Sequence, residues 1–195
     1  MAEAEPSRRA YKGSCHCKAT RFIIYLTLPA PTPAPDMSNV GPGNLRFYRC
    51  NCTFCHKAAV MHIRLPSPSS DFQLLSPLDP MNELGDYQCG IKNCHFLFCK
   101  TCGVRCFSFS GEGETEDVEG EDGEMRRVWH VKKGSVETHG EKAMYLSVNA
   151  HAVDAEQGFD MRALTEGKKL WYLDSLHHED MRPPTMEKPQ VGGSY

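Results

Sequence analysis

The 195-residue sequence predicts an all-β domain of two packed sheets with one small helix near its C-terminus, on three observations. The first is a set of eight short runs rich in aromatic and β-branched residues: TRFIIYLTL, LRFYR, AVMHIRL, DFQLL, CHFLF, VRCFSF, RRVWHV and AMYLSV. Such residues suit a pleated, half-buried surface, and each run has the length of a strand. The second is that Gly, Pro, Asn, Asp or Ser bounds each run, which breaks the chain into turns. The third is that 195 residues with 40% hydrophobic content suffice for one real core, and many short strands bury a core best as two packed sheets.

In chain order, residues 1–10 (MAEAEPSRRA) form an expected N-terminal tail with no apolar signal core. The domain is expected over 11–176. Its first strand-like run ends in PAPTPAPDMSNVGPGN, Pro29 to Asn44, expected as an extended surface connection. The runs then follow one another to GEGETEDVEGEDGE, Gly111 to Glu124, which carries eight of the chain's 25 acids and no base, leaving 22 bases against 17 acids elsewhere. Glycine and like charge oppose ordering, so an acidic solvated loop or disordered hairpin tip is expected over 111–124. The helix is expected in DAEQGFDMRALTEG, with Asp154 as N-cap and Gly167 past its end, and with Gly158 weakening its middle. Residues 177–195 form an expected undocked C-terminal tail.

FIIYLTL, Phe22 to Leu28, is the longest apolar-rich run and falls far short of the roughly 20 residues a membrane-crossing helix needs. Ten cysteines without a secretory signal suit a reducing compartment, so they are expected as thiols or metal ligands in the cytoplasm, with the nucleus also open.

The cysteines fall into groups by spacing. Cys15 and Cys17 form CHC; Cys50, Cys52 and Cys55 form CNCTFC; Cys99 and Cys102 form CKTCG, where the glycine suits a tight turn. Pairs one or two residues apart can close on one zinc ion from a single loop, and two pairs make a four-thiolate structural site. The economical partition is one zinc on Cys15, Cys17, Cys99 and Cys102 and a second on Cys50, Cys52 and Cys55, two per chain. Cys89, Cys94 and Cys106 are expected as packing residues, although Cys106 follows CKTCG closely, and either it or His56 would close the triad if it reached the ion.

Three thiolates on a divalent ion leave a net charge of −1, a weak Lewis acid and a poor activator of water. Such a centre can still take up a thiol as thiolate, which makes a held sulfur nucleophile the natural occupant of an open fourth position.

GSCHCKATRF, RCNCTFCHK, HFLFCKTCGVRCF and YLSVNAHAVD, in this order between about Tyr11 and Leu176, resemble the glutathione-dependent formaldehyde-activating enzyme family, which includes centromere protein V. The resemblance implies a zinc-bound β-tent fold and the same partition of the seven cysteines. It also implies a carbon–sulfur lyase reaction that reversibly joins glutathione and formaldehyde into S-hydroxymethylglutathione, so a small-molecule thiol such as glutathione and an aldehyde are the expected partners. Lys57 and Arg105 are candidates to meet a glutathione carboxylate. The sequence departs from the family pattern at Lys18, where glycine is common, at Cys89, where an aromatic is common, and in the length of the acidic insertion. The alternative function is a non-catalytic, zinc-stabilised interaction module. Nucleic-acid or polymer binding is disfavoured, because the N-terminal ten residues hold only Arg8 and Arg9 and the main charge run is acidic.

Overall fold

Strand-forming runs account for two sheets in the computed structural model, which describes residues 5–32, 43–133, 145–176 and 183–193. The strands are β1 (Ser7–Ser14), β2 (Arg21–Leu28), β3 (Arg46–Cys50), β4 (His62–Arg64), β5 (Phe72–Ser76) and β6 (Gly85–Tyr87) in the first half. They continue as β7 (His95–Phe98), β8 (Arg105–Ser110), β9 (Gly113–Glu119), β10 (Met125–Val131), β11 (Tyr145–Asn149) and β12 (Leu170–Leu173). Among the described residues, four short α-helices lie between them, α1 (Thr53–Lys57), α2 (Pro68–Asp71), α3 (Pro80–Glu83) and α4 (Met161–Glu166), with a 3-10 turn at Ala150–Ala152. One sheet runs β1-β2-β5-β10-β9 and the other β12-β3-β4-β11-β8-β7-β6. All pairings are antiparallel except β12 with β3.

The core lies between the sheets. Phe22, Ile24, Phe72, Leu74 and Trp129 come from the five-stranded sheet, and Phe47, Ile63, Phe107, Phe109 and Val148 from the seven-stranded one, all buried. Rings cross the gap: Phe72 meets Phe107 with centroids 5.0 Å apart, and Phe109 meets Trp129 edge-on at 5.0 Å. Burying each such ring contributes about 2–3 kcal/mol. Gly13 is required by this packing, since a Cβ there would lie 2.1 Å from the Phe22 ring opposite it. All eight sequence-predicted runs contain a strand. Among the described residues no helix is long and apolar enough to cross a membrane.

Four expectations need correction. β1 starts at Ser7, so residues 7–10 belong to the sheet rather than to a tail; Arg8 lies over the Tyr25 ring at 4.3 Å and pairs with Asp71 at 3.0 Å. The acidic stretch is no solvated loop, because its residues 113–119 form β9. The neighbouring β10 supplies a missing base, as Arg127 meets Asp117 at 3.0 Å, and Lys132 lies close to Glu112 just beyond the strand ends; the buried His130 Nε2 lies 2.9 Å from Glu116. The helix is shorter than expected. Asp160 caps α4, Gly158 takes φ +78 where the helix was to run, and Asp154 instead accepts hydrogen bonds from Ser14 and Lys18. Gly167 does end the helix. Finally, residues 183–193 dock: Thr185 and Tyr172 exchange backbone hydrogen bonds, and the Val191 carbonyl accepts from Asn51. Residues 33–42 of the predicted Pro/Gly connection and residues 177–182 of the predicted tail lie outside the described residues.

Candidate metal centres

Two turns build the first cysteine group. Between β1 and β2 the chain turns through Cys15 to Thr20, closed by Cys15 N–H to Thr20 O at 3.0 Å, and the Thr20 N–H donates to the Cys15 sulfur at 3.2 Å. Lys18 adopts φ +64 here, a left-handed conformation that glycine takes more readily than lysine. Between β7 and β8 a second turn runs from Cys99 to Val104, with Gly103 at φ +74. These turns bring Cys15, Cys17, Cys99 and Cys102 together, with all four sulfurs within 4.8 Å of one another. Cys15 and Cys17 are 3.6 Å apart, and Cys17 and Cys99 3.5 Å. A tetrahedron of sulfurs about 2.3 Å from a central ion has edges of about 3.8 Å, so the set fits a metal ion with little adjustment.

The second group comes from one short loop. Cys50 ends β3, Cys52 caps α1 and Cys55 lies within it. The Cys52 N–H donates to the Cys50 sulfur at 3.3 Å, and the Cys55 N–H to the Cys52 sulfur at 3.4 Å. The local backbone therefore aims three sulfurs at one point, again all within 4.8 Å. Cys50 and Cys55 are buried and Cys52 is half-buried. Hydrogen bonds from the Cys50 and Cys55 thiols hold the Cys52 thiol below the ordinary range, whereas the Cys50 and Cys52 sulfurs push Cys55 up. Three crowded thiols resist ionising together, a resistance that a bound cation would relieve. All ten cysteines are free thiols.

Asn51 anchors this loop from behind. Its amide donates to Asp174 at 2.6 Å, and its oxygen accepts from the backbone N–H groups of Ser175 and Leu176 at 2.6 and 3.0 Å.

The residues suspected of closing the triad do not join it. His56 is exposed and outside the sulfur group, and Cys106 is buried beside the four-sulfur set, where burial pushes its thiol up and the nearby Cys15, Cys102 and Cys99 add to the effect. Cys89 and Cys94 are half-buried, and Cys89 is no packing residue of the core. It faces a cleft of about 490 Å³ that Cys52, Phe54, Lys57, Tyr87 and Arg105 also line. Lys57 and Arg105 therefore share one cleft with Cys52. The Arg105 guanidinium lies over Phe54 at 5.6 Å and over Phe98 at 5.4 Å, which fixes its direction. A larger cleft, about 630 Å³, lies on the five-stranded sheet beside Arg126 and Glu121, away from both cysteine groups.

Sequence reasoning missed His62. Its Nε2 lies 3.3 Å from the Cys55 sulfur and its Nδ1 2.8 Å from Ser147 Oγ. Burial lowers its pKa to about 4. No spacing marks it: His62 is one of two polar residues, with Arg64, in the run AVMHIRL, and only pairing of β4 with β3 and β11 reveals its neighbours.

No protein-family model matches the chain. A crystal structure of a Rhodobacter sphaeroides protein from a structural-genomics programme is similar over 78% of this chain and 94% of its own, at 18% identity and a TM-score of 0.40. A likeness of that size carries no argument about the site.

Proposed function

We propose that the protein is a zinc-dependent carbon–sulfur lyase acting on a thiol adduct, of the type that reversibly joins glutathione and formaldehyde to S-hydroxymethylglutathione. The reading places it with the glutathione-dependent formaldehyde-activating enzymes and assigns it two zinc ions. One belongs to Cys15, Cys17, Cys99 and Cys102, the other to Cys50, Cys52 and Cys55. The observation that carries the reading is the three-sulfur group, one ligand short of a closed tetrahedral set, with its half-buried member Cys52 on a cleft shared by Lys57 and Arg105.

A zinc ion held there supplies the charge that lets an incoming thiol ionise at neutral pH. Lys57 and Arg105 supply positive charge for the glutathione carboxylates, and the Phe54 and Tyr87 rings, stacked with centroids 5.3 Å apart, form an apolar wall. In the forward direction a bond forms between the thiol sulfur and the aldehyde carbon. The carbonyl π pair moves to oxygen, and the proton lost by the thiol ends on that oxygen. The lyase direction reverses each step.

Cobalt substituted for zinc tests the open position. Adding glutathione should raise the sulfur-to-metal absorption and release one proton per site, and Cys52→Ala should be silent. The titration is repeated on Cys89→Ser, since Cys89 faces the same cleft. Silence at millimolar glutathione in both the wild type and Cys89→Ser, with both sites filled, overturns the reading and favours the interaction module.

A further inference from the structure

Cys55 has a partner that the proposed chemistry does not use. His62 is 4% exposed, and its ring lies almost parallel to Tyr48, 8° apart in plane and 4.4 Å between centroids. Nε2 reaches the Cys55 sulfur at 3.3 Å. On the other side of the ring, Nδ1 faces two hydroxyls, Ser147 Oγ at 2.8 Å and Tyr145 Oη at 3.3 Å. The ring cannot turn without losing the stack and these contacts together. It is also not a fourth ligand in this arrangement, because the donor atoms within 4.8 Å of one another stop at the three sulfurs.

A hydroxyl can donate to Nδ1 or accept from it, so the sulfur decides the tautomer: with Ser147 donating to Nδ1, the ring proton sits on Nε2 and points at sulfur. The opposite tautomer would set a nitrogen lone pair against a sulfur that must be anionic to hold a metal. We propose that His62 is a positioning residue of the three-sulfur centre: its Nε2–H donates to the Cys55 thiolate, and Ser147 holds the ring in the tautomer that does so. The inference rests on metal binding by the triad and not on the lyase reading. An N–H···S hydrogen bond draws electron density from the sulfur, so Cys55 donates less of it to the ion. In a set of three thiolates, whose net charge of −1 weakens the ion as an acceptor, this restores part of its affinity for a fourth donor.

Cobalt-loaded protein, with the four-sulfur contribution taken from Cys52→Ala, reads the effect. In His62→Phe, which keeps a ring against Tyr48 and removes the N–H, the charge-transfer band of the triad should move to longer wavelength. Loss of the donor also leaves a buried anionic sulfur without its hydrogen bond, a cost that outweighs the stronger donation, so competition with a chelator should show the metal bound roughly 10- to 100-fold more weakly. His62→Gln, whose amide can donate, should return the band toward its original position. A band and an affinity unchanged in His62→Phe carrying both ions overturn the proposal. A measurement on the wild type guards against a variant that fails to fold. With cadmium-113 in the sites, the proton on His62 Nε2 should couple to the metal through the Cys55 sulfur, and the ring nitrogen shifts should report a proton on Nε2. A proton on Nδ1 and no coupling overturn the proposal, whereas uptake of only one metal ion per chain overturns metal binding by the triad and this inference with it.

Discussion

The two cysteine groups hold sulfur in similar arrangements by opposite means. The four-sulfur group joins a turn of the five-stranded sheet to a turn of the seven-stranded sheet, and its Cys17 and Cys99 stand 82 positions apart in the chain. An ion there staples the sheets at one end. The three-sulfur group spans Cys50 to Cys55, within one loop whose shape already follows from its own backbone hydrogen bonds. Closing a loop of that first kind removes about 4–5 kcal/mol of chain entropy from the unfolded state, by analogy with a disulfide, whereas a six-residue loop gains far less. Similar ligands therefore do different work. An ion on the first set would hold the fold together, whereas one on the second would face a cleft.

The largest expected effect follows from the staple. Cys99→Ala should cost at least about 4 kcal/mol in urea unfolding, because an ion held by the remaining thiols no longer joins the sheets fully. Cys52→Ala should stay within about 1 kcal/mol of wild type and lose one of the two ions by elemental analysis. Equal destabilisation by the two variants would erase the distinction between the groups. A smaller effect separates the charges of the cleft from its sulfurs. Arg105→Ala and Lys57→Ala should each raise the glutathione concentration needed for half of the cobalt spectral change by about 3- to 10-fold, while leaving both ions in place. An unchanged midpoint in both variants would remove these residues from thiol binding.

The smallest effect concerns Lys18. Glycine accepts φ +64 without strain, so Lys18→Gly should stabilise the four-sulfur turn by about 0.5 kcal/mol, after allowing for loss of the exposed contact to Asp154 at 3.2 Å. Thermal unfolding measures it. A loss of stability would show that the lysine contacts to Ser14 and Asp154 outweigh the backbone strain.

What the sequence revealed and what it hid follow from the range of the interactions involved. The eight strand runs were legible because local composition carries that signal, and the cysteine groups because ligand spacing is local too. β9 was hidden, since GEGETEDVEGEDGE repels itself in isolation and becomes a strand only when β10 pairs with it and brings Arg127 opposite Asp117. β1 was hidden by its exposed, basic start at Ser7 to Ala10, which is an edge strand's outer surface. The early helix start failed because Asp154 had a better partner across the fold in Ser14, 2.6 Å away, than in any helix of its own. His62 was illegible because its neighbours Tyr48, Cys55 and Ser147 come from β3, α1 and β11, which meet only when the sheet forms.

The clasp on Asn51 sets an order of events during synthesis. Every ligand of the four-sulfur group has been translated once Cys102 is made, so an ion can enter before the chain beyond it is synthesised. The loop of Cys50, Cys52 and Cys55 is translated earlier, yet its central residue waits for Asp174, Ser175, Leu176 and Val191. The loop that faces the cleft is therefore anchored after the four-sulfur ligands are all present. A chain ended between Cys102 and Asp174 would carry those four ligands without the anchored loop. Nascent chains stalled at increasing lengths and assayed for metal should gain the first ion well before the second.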